Sequence, residues 1–478
     1  MGILKGERKM KIVVLNGSPK GEQSVTLQYV HFIENQFPQH QFTILPVAQQ
    51  IHKIEREPDF FREWIGKVRE SDGVIWAFPL YVFLVSSQYK RFIELVWERE
   101  AQEAFRNKYA AVLTTSIHFF DHTAHNYLRA ICDDLDMKFV GGFSADMYDL
   151  LKKEEREKLK IFGENLFLAI EGKKPGFKNY LPLKAPEFEY VPGEAKTQIN
   201  PAPRKITLVT DSDDVHTNLG KMIARFKNAF AGPIETIHLQ SLDMKGGCLG
   251  CIRCGQDNRC TYEGKDAFIE TYKTKIQTAD ILVFAGTLRD RYLSSRWKMF
   301  FDRAFFNTHT PSLSGKQIGF ILSGPLAQNP NLREILEAYT EWQKANLVDM
   351  ATDEAADSEQ IDSRLQALAE QLLFAAEKNY LKPPTFLGVG GMKIFRDDIW
   401  GRLRFPFQAD HAYYKKHGVY DFPQKDFKAR VRNRILILLT KIPAMRKEIY
   451  TRRMKAEMVK PLQRIVAGTQ TVSRKGDS

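Results

Sequence analysis

Four of the five cysteines, Cys248, Cys251, Cys254 and Cys260, fall within one short run spaced C-x2-C-x2-C-x5-C. Thiolates two residues apart on a tight loop can converge on one inorganic centre, and the fourth arrives after a short polar excursion. Gly246, Gly247, Gly250 and Gly255 let the backbone fold closely, because glycine accepts positive φ. Compact Cys-x2-Cys-x2-Cys runs are typical of iron–sulfur ligation. Two other readings stay open: structural zinc, which usually draws two well-separated ligand pairs, and packing or unrelated thiol chemistry. Disulfides are the weaker reading, since nothing else in the chain looks secreted.

A second chemistry-bearing stretch is Asn16-Gly17-Ser18-Pro19-Lys20-Gly21-Glu22-Gln23-Ser24-Val25-Thr26. Its hydroxyls, its backbone amides and the start of the following helix can surround a phosphate, to which Lys20 adds charge. It lacks the G-x4-G-K-[ST] order of a P-loop, and a plain turn with an N-cap serine is the bland alternative. Pro79, Leu80 and Tyr81 follow a strand and could sandwich a flat ring, or simply pack under a helix. Thr115 and Ser116 end another strand and could contact a ring edge. His118, His122 and His125 have near-helical spacing, but no carboxylate or cysteine completes a persuasive metal set.

Positioning these groups requires alternating strands and helices. Apolar runs at 11–16, 41–47, 73–79, 109–116 and 138–145 read as buried parallel strands, with helices between them and a closing helix at 154–170. Five such repeats predict an α/β doubly wound parallel sheet. Six prolines in 173–203 predict an extended linker. The pattern then restarts. Lys205-Ile-Thr-Leu-Val-Thr210 matches the first strand, and Ser294-Ser295-Arg-Trp-Lys298 matches Ser86-Ser87-Gln-Tyr-Lys90. The expected organisation is a first sheet domain at 1–172, the linker at 173–203, a second sheet domain with the four-cysteine loop at 204–380, and a basic, mainly helical extension at 381–478.

The net charge of +12 is unevenly spread: residues 381–478 hold 22 Lys and Arg against 8 Asp and Glu, leaving the rest near neutral. Such a tail predicts an acidic protein partner or an anionic membrane surface, a solvated basic face being the bland reading. Nucleic acid is not expected, because no binding motif accompanies the charge. The apolar run 435–439 is expected to be buried against the body or a partner, and Pro443 and Pro461 to break the tail's helices. The charged N-terminus at 1–11 lacks a signal-peptide core, and no apolar run reaches membrane-spanning length, so a cytoplasmic location is expected.

Gly17-Ser18-Pro19-Lys20 with Ser24 and Thr26, then Pro79-Leu80-Tyr81 and Lys90, resembles the flavodoxin-like NADPH-dependent FMN reductase family. The second repeat resembles that family's iron–sulfur flavoprotein branch, in which a compact four-cysteine run in this loop holds a [4Fe–4S] cluster. Lys298, Asp302 and Arg303 also resemble that branch. The resemblance implies two tandem flavodoxin-like copies over 11–380. It implies FMN phosphate held by Ser18, Lys20, Ser24 and Thr26, and the isoalloxazine ring lined by Pro79, Leu80, Tyr81, Thr115 and Ser116. It implies the cluster on Cys248, Cys251, Cys254 and Cys260. NAD(P)H would be a transient donor, since no G-x-G-x-x-G fingerprint follows a strand.

The second copy departs from this pattern. Asp211, Asp213 and Asp214 occupy its phosphate loop, where one carboxylate about 4 Å away would oppose a phosphate by roughly 4 kcal/mol. Its ring loop, Gly286-Thr287-Leu288-Arg289-Asp290-Arg291, has no Pro-x-Tyr. FMN is therefore expected in the first copy and the cluster in the second, facing each other if the copies pack like a homodimer. The loop at 48–58 of the first copy has no cysteine. The reading is an FMN and iron–sulfur oxidoreductase working between NAD(P)H or a ferredoxin-like donor and an unnamed acceptor. A non-catalytic electron carrier or assembly subunit docked through its tail and a zinc-stabilised nucleic-acid-binding protein are the alternative functions, and a homo-oligomer stays open as the assembly.

Overall fold

A computed structural model describes residues 8–195 and 197–473. The first seven residues of the charged N-terminus and the last five of the tail lie outside them. Lys11–Asn16 (β1), Gln41–Leu45 (β2), Gly73–Pro79 (β3), Tyr109–Ser116 (β4) and Lys138–Asp146 (β5) form one parallel sheet in the order β2-β1-β3-β4-β5. The apolar runs sit in its middle, where both faces are covered by helices: Val13 pairs with Val74 and Ile75 with Ala111. Ile206–Thr210 (β6), Glu235–His238 (β7), Ile281–Thr287 (β8), Gln317–Ser323 (β9) and Asn346–Thr352 (β10) repeat that order as β7-β6-β8-β9-β10. Both sheets thus have the flavodoxin-like order, in which the strand sequence reverses beside the first strand.

Two differences from the sequence reading matter. Residues 48–58, expected as a loop, are mostly the helix Val47–Arg56, which buries Val47, Ala48, Ile51 and Ile54. The second copy makes its cysteine excursion after β7 instead. Among its described residues the proline-rich linker has no helix, yet it is no free spacer: Tyr190 is fully buried in the second core and its hydroxyl donates to Asp362.

The sheets are joined through two equivalent helices, Ser87–Glu98 and Ser295–Ala304, in a reciprocal pattern. Asp302 accepts from Ser87 N at 2.7 Å, and Glu94 accepts from Ser295 N at 2.6 Å. Lys90 Nζ, fully buried, donates to Glu94 and to Asp290 of the second copy, both at 2.9 Å. Lys298 Nζ pairs with Asp302 and donates to Tyr81 O of the first copy at 3.0 Å. Each helix N-terminus is thereby capped by a carboxylate from the other copy, the mutual arrangement of a two-fold interface. Burial works against the Lys90 charge, but Asp290 and Glu94 outweigh it and hold its pKa above the ordinary lysine range.

Residues up to Tyr414 form one compact unit and Lys415–Ser478 another. The first takes in the helix Phe386–Trp400 and most of Gln408–Lys416. The second unit carries 17 Lys and Arg against 5 Asp and Glu, a net charge equal to that of the whole chain. Its helices are Phe427–Leu439, Pro443–Glu448 and Met454–Ser473, and Pro461 lies inside the last rather than breaking it. Ile437 and Leu438 are exposed in the chain, so the apolar run is not buried against its own body. No helix among the described residues is long and apolar enough to cross a membrane.

Candidate functional site

The loops beyond the carboxyl ends of β1, β3 and β4 open onto one cavity of about 390 Å³, within the usual size range for a cofactor site. Ser18, Lys20 and Ser24 line it from the first loop, Pro79, Leu80 and Tyr81 from the second, and Thr115 and Ser116 from the third. Asn16 Oδ1 accepts from Ser18 N at 3.0 Å and Ser18 Oγ accepts from Lys20 N at 3.3 Å, which curls the first loop around its own amides. Ser24 also caps the helix Val25–Gln36, accepting from Leu27 N. Thr26 is not in the wall. It is fully buried, with its hydroxyl 2.6 Å from that of Thr115, so it braces that residue from behind.

The loop after β3 is strained. Tyr81 N donates to Leu84 O and Leu84 N to Tyr81 O, closing a tight turn with Val82 and Phe83 at positive φ, 31° and 67°. A β-branched residue there costs of order 1–3 kcal/mol, and such strain clusters at functional sites. Phe83 is held by burial against Phe119, Phe120, Tyr339 and Trp342. The Tyr81 hydroxyl, presented by this turn, is buried without a hydrogen-bond partner, which fits a ligand bearing polar atoms.

Part of the cavity wall comes from the second copy. Cys248, Gly250 and Ile252 line it. Gln88 of the first copy donates to Cys248 O at 3.1 Å. A Cβ added at Gly250 would lie 2.1 Å from Tyr81 Oη and 2.9 Å from Lys20 Cε. The glycines of this run therefore allow close approach to the rest of the chain: a Cβ at Gly247 would meet Ser87 Oγ of the first copy at 2.3 Å, and one at Gly255 would meet Pro406 O of the extension at 2.1 Å. Arg303 anchors the run from its own domain, donating to Gly246 O at 2.9 Å while forking the buried Asp266. Burial lowers the Lys20 pKa, opposed by the nearby Cys248 and Cys251.

Cys248, Cys251, Cys254 and Cys260 surround a second, small cavity of about 40 Å³. Burial pushes the Cys248 and Cys254 thiols up to about 12, so a thiolate there needs a cation to hold it. Among the described residues, no three His, Cys, Asp or Glu side chains close to the geometry of a single ion. The fifth cysteine, Cys132, is fully buried and its thiol is pushed well up by burial.

The histidine trio disperses: His118 bonds Asp121, His122 bonds Glu334 and His125 bonds Thr114, each at 2.8 Å. The corresponding loops of the second sheet are engaged elsewhere. Asp211 accepts from Ser294 Oγ, Asp213 pairs with His238, Asp290 pairs with Lys90, and Arg291 forks Asp134 of the first copy at 2.6 and 2.7 Å.

The sequence reading missed the rest of the wall. Trp342 comes from beside β10, and Phe395, Leu403, Pro406 and Phe407 come from the extension, folded back over the cavity. Arg402 fastens the extension by forking Asp146 at the end of β5. The only signal was the density of aromatics at 395–407 in an otherwise basic tail.

The fold has several partial likenesses among solved structures. An NADH:FMN oxidoreductase in apo form shares 19% identity, covering 34% of this chain and 90% of its own, with a TM-score of 0.30. General stress protein 14 of Treponema denticola, solved with FMN, shares 10% over 34% and 98%, with a TM-score of 0.26. An NAD(P)H:quinone oxidoreductase of Methanothermobacter marburgensis shares 13% over 36% and 100%, with a TM-score of 0.27. No curated protein matches the chain. Residues 10–148, which contain β1 to β5 and all nine residues expected around a flavin, match the NADPH-dependent FMN reductase family.

Proposed function

We propose that the chain is an FMN-dependent oxidoreductase whose first copy holds the flavin and whose second copy holds a [4Fe–4S] cluster beside it. The observation that carries this reading is one cavity lined both by the phosphate and ring loops of the first copy and by Cys248, Gly250 and Ile252 of the second. Ser18 and Lys20, with the N-terminus of helix Val25–Gln36, would hold the phosphate, and Tyr81 would offer its unpaired hydroxyl to the ring. Four thiols around one small cavity suit a cluster, whose ligands stand further apart than those of a single ion. Bound FMN supplies two-electron chemistry with a nicotinamide nucleotide and, with a one-electron centre adjacent, a means of splitting the pair. The protein's own part is to orient the ring, exclude water with its apolar walls and keep the two centres close.

Anaerobic purification with absorption spectra, flavin release and iron, sulfide and zinc analysis tests this. About one FMN and about four iron and four sulfide per chain are expected, and Cys254→Ser should lose the iron and sulfide while retaining flavin. Zinc without iron overturns the cluster. Absence of flavin after reconstitution overturns the redox reading. Bleaching of the flavin by NADPH but not by a reduced ferredoxin identifies the donor, and the converse identifies a carrier.

Lys20→Met is expected to weaken FMN binding about 10- to 100-fold, the worth of one charge-assisted hydrogen bond. Titrating FMN fluorescence against the flavin-free protein checks it, and a change under twofold would remove Lys20 from the phosphate site.

A further inference from the structure

We propose that His309 and Asp410, with the aromatic wall beside them, form the site of the electron acceptor, a flat unsaturated ring bearing a carbonyl oxygen that His309 protonates. This rests on the flavin reading above, which supplies the electrons.

His309 lines the same cavity as the flavin-side loops, but it comes from the second copy, just after the turn Phe305–Asn307. Asp410, fully buried, comes from the extension. Its carboxylate accepts from His309 Nδ1 at 2.7 Å, from His309 N and Thr310 Oγ1 at 3.0 Å each, and from Thr308 Oγ1. Tyr414 donates to His309 O at 3.0 Å. Thr308 is held at φ 53°, unusual for a β-branched residue, so several bonds and some backbone strain serve to present one imidazole. Phe395 and Phe407, with ring centroids 4.0 and 4.6 Å away, fix its plane.

A carboxylate on Nδ1 sets the tautomer and the ring's orientation, leaving Nε2 as the working atom. Nε2 has no hydrogen-bond partner among the described residues. Trp342, 4% exposed, lines the cavity nearby with an indole Nε1–H that also lacks a partner. Unpaired donors on a wall otherwise built of Phe119, Phe395 and Phe407 select a planar molecule with acceptor oxygens. Reducing a conjugated ring dicarbonyl adds two electrons and two protons, one proton to each oxygen, and forms no C–H bond. Bound reduced FMN would supply the two electrons and one of the protons, and the nicotinamide nucleotide would replace them. The other proton leaves Nε2 of His309, which regains one from water.

The test uses the flavin-loaded full chain, reduced with dithionite without air and mixed with duroquinone, a planar dicarbonyl that lacks free positions for thiol attack. His309→Gln is expected to slow flavin reoxidation about 100-fold, and added imidazole to restore part of the rate in His309→Ala. Trp342→Phe is expected to weaken duroquinone binding to the oxidised protein about fivefold, read from the perturbed flavin spectrum. Asp410→Asn should slow reoxidation too. If that variant fails to fold, the two His309 variants decide. Wild-type reoxidation by His309→Gln, or no imidazole rescue, overturns the proposal. A chain that binds no flavin overturns the earlier reading instead.

Discussion

Replacing Lys90 with methionine is expected to destabilise the chain by about 3–5 kcal/mol, the cost of breaking a buried ion pair by removing one partner. Lys90 is fully buried, and Glu94 and Asp290 are each 8% exposed at the side chain. Without the ammonium, two carboxylates face each other across the interface, and only Arg91, 3.2 Å from Glu94, remains beside the pair, leaving Asp290 without a cation. The loss should fall on the union of the copies rather than on either sheet, since Glu94 also accepts from Ser295 N and Oγ. Urea midpoints followed by tryptophan fluorescence measure it, with midpoints compared directly because a chain of this size need not unfold in two states. The triple variant Lys90→Met, Glu94→Gln, Asp290→Asn should recover most of the loss, because it removes the stranded charges. A single variant that shifts the midpoint by less than about 1 kcal/mol would show that the pair contributes little to holding the copies together.

Substituting Gly250 by valine is expected to lower FMN affinity at least tenfold, about 1.4 kcal/mol. Gly250 has φ +63°, where a β-branched side chain costs roughly 1–2 kcal/mol in the backbone alone. Its Cβ would also overlap Tyr81 Oη at 2.1 Å and Lys20 Cε at 2.9 Å, so the cysteine loop or the ring loop has to move. Gly264 is the control. Its φ is +74°, yet nothing lies within 4 Å of an added Cβ, so Gly264→Val carries the strain without the crowding. Equal FMN affinity in the two variants, measured by fluorescence titration, would mean that the cysteine loop does not shape the flavin cavity.

Much of the fold was readable because a strand covered on both faces must be apolar throughout. The runs at 11–16, 73–79 and 109–116 coincide with β1, β3 and β4. The loops beyond them were readable as a site because strand ends in this topology converge whatever else the chain does. Thr26 was expected at the phosphate from the family resemblance, but in the first turn of its helix it faces inward and braces Thr115 from behind. The strip at 48–58 read as a loop by analogy with the second copy, while its own apolar spacing gives a helix. The shared Ser-Ser-x-x-Lys segments read as a sign of repetition. Their packing supplies a physical reason for the match, since Lys90 and Lys298 each bond across to the other copy. The aromatic wall was not readable, because Phe395 and Phe407 reach the cavity only by long-range folding, and no local period encodes where a returning segment lands. Asp410 is the extreme case: an aspartate in a basic tail looks solvated, and it is the residue around which Thr308 to Thr310 are arranged.

The reciprocal capping of Ser87 by Asp302 and Ser295 by Glu94 has a consequence for how the molecule responds to change. In a dimer of identical subunits, every substitution lands on both sides of the axis at once. Here the two sides lie on one chain, so the same position can be a cavity-lining valine on one side, Val82, and a charged tether on the other, Asp290. The covalent link also fixes the local concentration of one half around the other. A site assembled in this way is not dismantled by dilution, as one shared between separate molecules would be.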